Sequence, residues 1–137
     1  MGGTCLPIPV LQREIMTLPL VESTILVIGN DPPLAYLLGR YAEQSGCRIS
    51  QYASAPWIGE LRQLKPIALI FLSLEYLQTA QSLVEDLSLH ETPVLVCASL
   101  SDEARARELG ADACLFHPLT YDDFCSALSS IDSPRCN

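Results

Sequence analysis

The sequence has little positive charge. Its 137 residues hold eight lysines and arginines against sixteen aspartates and glutamates, and Lys65 is the only lysine. A net charge of −8 repels nucleic-acid backbones and anionic membrane surfaces, so neither is expected as a partner. Long apolar runs are missing too: none approaches the ~20 residues that a membrane helix needs. The start lacks the basic stretch and small-residue cleavage site of a secretory signal. In "MGGTCL", Leu6 stands where N-myristoylation wants Ser or Thr. There is no G-x-G-x-x-G and no Walker loop, which leaves nucleotide binding without a motif. None of the six cysteines, at 5, 47, 97, 114, 125 and 136, belongs to a C-x-x-C pair, so neither a zinc knuckle nor a redox dithiol is indicated. Such cysteine use fits a reducing compartment, and the expected location is the cytoplasm.

What remains is a globular composition, 49% hydrophobic and 18% charged. A chain of this length buries about two-thirds of its unfolded surface in one domain. Residues 1–22 carry Pro7, Pro9 and Pro19 without a clear period and read as an extension, with Met16 as an alternative start. The domain spans 23–131, and "DSPRCN" (132–137) reads as a frayed tail.

Strand and helix patterns alternate between these limits. "TILVI" (24–28) is an apolar run of the buried-strand kind. Asp31 is placed to cap the next helix, with Pro32 at its first position. Leu34, Leu37, Leu38, Tyr41 and Ala42 then mark one helical face, and Gly46 a stop. "CRISQY" (47–52) is a short strand and "PWIGELRQL" (56–64) a short helix opening at Pro56. "IALIFL" (67–72) is a buried strand, and Leu77, Ala80, Leu83, Val84 and Leu87 mark a third helix. "PVLVCA" (93–98) is a strand, Ser101 is the expected cap of "DEARAREL", "ACLF" (113–116) is the fifth strand, and Thr120 opens the last helix. Cys97 and Cys114 fall within strands and are expected to be buried, inert thiols. Apolar strands linked by helices predict an α/β fold: a doubly wound parallel sheet covered on both faces. In such sheets sites form at the carboxyl ends of the strands. That places Gly29-Asn30-Asp31, Ser73, Ala98-Ser99 and His117 along one rim.

Four stretches, "ILVIGNDPPLAYLL", "KPIALIFLSL", "TPVLVCAS" and "ELGADACLFHPL", resemble in order the receiver domain of two-component response regulators, over about residues 23–130. The resemblance implies a flavodoxin-like three-layer sandwich with sheet order 2-1-3-4-5, an order the general rule for doubly wound sheets already illustrates with a chemotaxis receiver. It also implies what has been lost. The family's two metal-binding acids fall on Gly29 and Asn30, and its phosphoacceptor aspartate on Ser73. Its hydroxyl switch residue falls on Ala98, or on Ser99 after a one-residue slip. Its switch aromatic falls on Cys114 and its lysine on His117, while the proline that follows is kept as Pro118. Magnesium needs hard anionic oxygens in near-octahedral geometry, which glycine and an amide do not supply. A serine hydroxyl needs a base to become a nucleophile, and none is evident. Asp31 is assigned to the helix cap.

The expectation is therefore a non-enzymatic pseudo-receiver, without cofactor or metal, that binds a protein partner in phosphorelay signalling or the regulation of transcription. The partner would be a histidine kinase, a regulator or another signalling protein, with homodimerisation as an alternative occupant. The resemblance places contact on the face formed by the fourth helix, fifth strand and fifth helix, residues 102–130, with Tyr121 and Phe124 as anchors. Two alternatives stand beside it: a small flavodoxin-like enzyme or cofactor carrier, and a switch phosphorylated on Ser73 by a serine kinase. Other constellations have plainer readings. Cys114 and His117, three apart on a strand, point to opposite faces and cannot readily share a metal. Asp122 and Asp123 suit a helix start. Glu75 with Asp31 would make at best a weak cation site.

Overall fold

The computed structural model describes residues 23–88 and 92–136; the extension 1–22, with Cys5 and Met16, lies outside them. Five parallel strands form one sheet in the order β2-β1-β3-β4-β5. They are β1 (Ser23–Ile28), β2 (Cys47–Tyr52), β3 (Ala68–Phe71), β4 (Val94–Ala98) and β5 (Ala113–Phe116). The helices are α1 (Pro32–Gln44), α2 (Ile58–Leu64), α3 (Leu74–Thr79), α4 (Gln81–Ser88), α5 (Glu103–Glu108) and α6 (Tyr121–Cys136). Because side chains alternate across a strand, the sheet divides its apolar residues between two cores. Ile25, Val27, Ile70, Leu95, Cys97 and Leu115 face α1 and α6. Leu26, Ile28, Leu69, Phe71, Val94 and Val96 face α2 to α5. β3 and β4 are buried at every residue, as central strands covered on both faces must be.

The helices depart from the sequence pattern at four places. The third splits at Ala80. The Ala80 N–H turns to the Leu77 carbonyl at 3.1 Å, the Thr79 hydroxyl donates to Tyr76 O at 2.9 Å, and the Gln81 amide donates to Leu77 O and Leu109 O at 3.0 and 2.9 Å. These bonds satisfy the groups that a broken ladder leaves open. The short helix begins at Ile58, not Pro56, with Trp57 as its extended N-cap. Ser101 does not cap α5. A 3₁₀ turn, Leu100–Asp102, precedes that helix, and the Ser99 hydroxyl donates to Asp102 Oδ2 at 3.1 Å while contacting Ser101 Oγ at 3.0 Å. Finally, α6 continues to Cys136, through residues that read as a tail. Elsewhere the caps are as the sequence implies. Asp31 Oδ1 accepts the Leu34 N–H at 3.3 Å, and Thr120 Oγ1 accepts the Asp123 N–H at 3.1 Å.

Candidate functional site: the carboxyl-end rim

The rim gathers the turns after β1, β3, β4 and β5. Gly29 follows β1 with φ +136°, a backbone that L side chains rarely adopt. Its N–H extends the ladder to Tyr52 O at 2.8 Å, and its carbonyl accepts the Gln51 side-chain amide at 3.3 Å. On the other side, the Leu72 N–H donates to Ile28 O at 2.9 Å. A Cβ on Gly29 would lie 2.9 Å from Leu72 Cβ. The residue abreast of Gly29 is therefore Leu72, and the chain end of β3 presents an aliphatic group there. Ser73 turns away to cap α3, its hydroxyl accepting the Tyr76 N–H at 3.4 Å.

Tyr76 is the rim residue that sequence reasoning missed. A Cβ on Gly29 would lie 2.8 Å from its Cε2 and 3.0 Å from its Cδ2, so the ring fills the space beside the glycine. Its phenolic oxygen accepts the Asn30 N–H at 3.0 Å. The ring also packs against both cores. It stands three residues after the N-cap, and helical side chains lean toward the N-terminus of their helix. The Ser73-x-x-Tyr76 spacing thus carried a signal for a ring laid back over the strand end.

The remaining predicted positions are scattered in environment. Asn30 and Ser99 are exposed, Asp31 is half-buried, and Ala98 is buried at the end of β4. His117 and Pro118 are exposed beyond β5, joined by a cis peptide bond. Glu75 is exposed on the first turn of α3. Among the described residues no three His, Cys, Asp or Glu side chains form a group that could hold a metal ion, and no helix is long and apolar enough to cross a membrane.

Two expectations about site residues are overturned. Phe124 is 0% exposed and belongs to the core between sheet and α6, its ring 5.8 Å from that of Tyr41; it cannot anchor a partner. Tyr121 is half-buried, with its ring 5.6 Å from Tyr41. Cys114 is half-buried, not buried, because the outer face of edge strand β5 is only partly covered. Burial still raises its thiol pKa, with Arg107 opposing. Cys97 is buried as expected, and burial pushes its thiol up to about 12, with the nearby Asp31 charge adding to the shift.

No protein-family model and no curated protein matches the sequence. Solved structures do match its fold. A response regulator signal receiver domain from Bermanella marisrubri shares 20% identity over 80% of this chain and 98% of its own, with a TM-score of 0.65. The signal receiver domain of a signal transduction histidine kinase from Syntrophus aciditrophicus shares 22% over 82% and 91%, at 0.63. Full-length FixJ from B. japonicum shares 15% over 83% of this chain, at 0.64, and this chain spans 61% of its length. At such identities the likeness is one of fold: with its 2-1-3-4-5 parallel sheet, this chain has the flavodoxin-like fold that response regulator receiver domains share.

Proposed function

We propose that this chain is a receiver-like signalling module that acts by binding a protein partner, without phosphoryl transfer. The observation that carries the reading is the rim itself. A magnesium ion shared between a metal site and a phosphoacceptor needs several hard oxygens at about 2.0–2.1 Å. The resemblance puts the metal positions on Gly29 and Asn30, which carry no carboxylate; Leu72 lies abreast of Gly29, and the Tyr76 ring fills the space beside it. A carboxylate on Ser73 would be engaged as the cap of α3, where the hydroxyl now accepts the Tyr76 N–H. With Gly29 and Asn30 in place of acids, the rim lacks the mutual repulsion of clustered carboxylates that an ion would otherwise have to offset. The contact surface is assigned to α5, β5 and α6, with Tyr121 at its margin.

The test is direct. Millimolar magnesium with beryllofluoride should give no thermal shift, and acetyl phosphate should leave no label. Gly29→Asp with Asn30→Asp and Ser73→Asp should not restore magnesium binding. Adding Leu72→Asp and Tyr76→Ala should recover part of it. A magnesium-dependent stabilisation of the unmutated protein would overturn the reading. The serine-kinase alternative keeps one observation in its favour: Ser73 lies at a helix N-terminus, where added negative charge is stabilising. Intact mass of protein from its own cells decides that case.

A further inference from the structure

We propose that Cys47 and Cys125 form a paired-thiol modification site, which small disulfides oxidise to an intramolecular bridge between β2 and α6. The site lies at the end of the sheet opposite the rim and is independent of the phosphoryl question. A cleft of about 200 Å³ opens there, with Cys47 and Cys125 both in its wall beside Ser45, Ile67 and Leu128. Cys47 starts edge strand β2 and is in phase with Ile49, whose register partner Ile25 faces the α1–α6 layer. Period-two alternation therefore turns the Cys47 side chain to that layer. Cys125 meets the same layer from α6, one residue past the buried Phe124. Two thiols from elements far apart in sequence thus converge on one small space.

Ser45 holds one of them in place. Its hydroxyl donates to Tyr41 O at 3.0 Å. A hydroxyl has one proton and two acceptor lone pairs. Its oxygen also lies 3.3 Å from Tyr121 Oη and 3.8 Å from Cys125 Sγ, and its lone pairs can accept from either. Both cysteines are half-buried, unlike Cys97, which the core seals. The cleft exceeds the ~30 Å³ share of a water several-fold and opens to solvent, so a low-molecular-weight disulfide can approach the thiols in its wall from outside.

The chemistry balances with a low-molecular-weight disulfide as oxidant. One cysteine thiolate attacks a sulfur of the small disulfide, its S–S bond breaks, and one small thiol leaves. The second cysteine attacks the mixed disulfide at the protein sulfur and expels the other small thiol. Two protein thiols are oxidised and one small disulfide is reduced to two thiols.

Oxidised glutathione on the full-length native chain is the test, read by intact mass and non-reducing peptide mapping. The expected product has lost two hydrogens, retains no glutathione, and yields a linked Cys47–Cys125 peptide. Cys47→Ser should instead retain glutathione on Cys125, and Cys125→Ser should retain it on Cys47. Should a variant fail to fold, the map of the unmutated protein still decides. Glutathione stably retained on both cysteines of the unmutated protein would overturn the proposal. So would a bridge that leaves both as thiols, or reaction at them only after denaturation.

Discussion

Gly29→Ala should cost far more than a surface turn substitution, and the cost should depend on Tyr76. Two terms contribute. Holding an L residue at φ +136° costs roughly 1–3 kcal/mol. The new methyl would meet Tyr76 Cε2 at 2.8 Å and Leu72 Cβ at 2.9 Å, and overpacking of this kind costs roughly 1–3 kcal/mol. Together they reach about 2–6 kcal/mol, a large share of the 5–15 kcal/mol that holds an ordinary domain. At this chain length that is a fall in Tm of about 8–20 °C. Urea denaturation of four proteins, unmutated, Gly29→Ala, Tyr76→Ala and the double variant, separates the terms. The backbone term survives removal of the ring, whereas the packing term against Tyr76 does not. The double variant should therefore be more stable than the sum of single effects by about 1–2 kcal/mol, within the usual range of couplings between touching residues. A Gly29→Ala change of less than about 0.5 kcal/mol would refute the geometry. Additive single effects would show that the ring does not fill this space.

Phe124→Ala should destabilise by about 3–5 kcal/mol, the usual cost of emptying a buried aromatic site, since the ring is 0% exposed; Tyr121→Ala should cost about 1 kcal/mol, and equal urea midpoints for the two would contradict the burial. The protein should also weaken at alkaline pH. The Cys97 thiol is raised from its ordinary 9.0 to about 12, so the unfolded chain releases its proton first. Stability is then full below pH 9 and falls by up to about 1.4 kcal/mol per pH unit towards pH 12. Cys97→Ala should flatten this slope in urea melts at pH 8 and 10.5; an unchanged slope would assign it elsewhere.

Much of the fold was legible because its signals are local. β2 and β5 span the residues that read as strands, 47–52 and 113–116, and Asp31 and Thr120 cap as their positions imply. The break at Ala80 was not legible, because the bond that seals it joins Gln81 to Leu109, 28 residues away. Ser101 has no cap role because it falls inside the 3₁₀ turn that precedes α5, which puts Asp102 at the N-cap position. Phe124 is different, since its burial could have been read. Phe124, Ala127 and Leu128 step by three and one and face one core. Family position drew it to the surface while helical period placed it inside. The rim fell between these cases. Gly29 and Asn30 at the end of β1 are plain in the sequence, but Leu72 beside Gly29 follows from strand register, and Tyr76 against both follows from where a short helix starts.

On the proposed function the rim works without an ion or a phosphoryl group, and that has a consequence for how such a module is controlled. A conformational switch moves only when a ligand binds two states with different affinity. The acidic centre of a receiver would provide that difference through an ion and a phosphoryl group. A rim in which Tyr76 packs into both cores and accepts the Asn30 N–H ties β1, α1 and α3 together and favours one arrangement. On the proposed function the partner surface is then presented permanently, and control passes to abundance or to another part of the molecule. The cleft at the opposite end is suited to that role. Cys125 lies on α6, the helix that carries Tyr121, and Ser45 contacts both side chains. A bridge from Cys125 to β2 would fix α6 against the sheet edge without touching the rim, so that oxidation acts on the binding surface directly where phosphorylation would have acted from a distance.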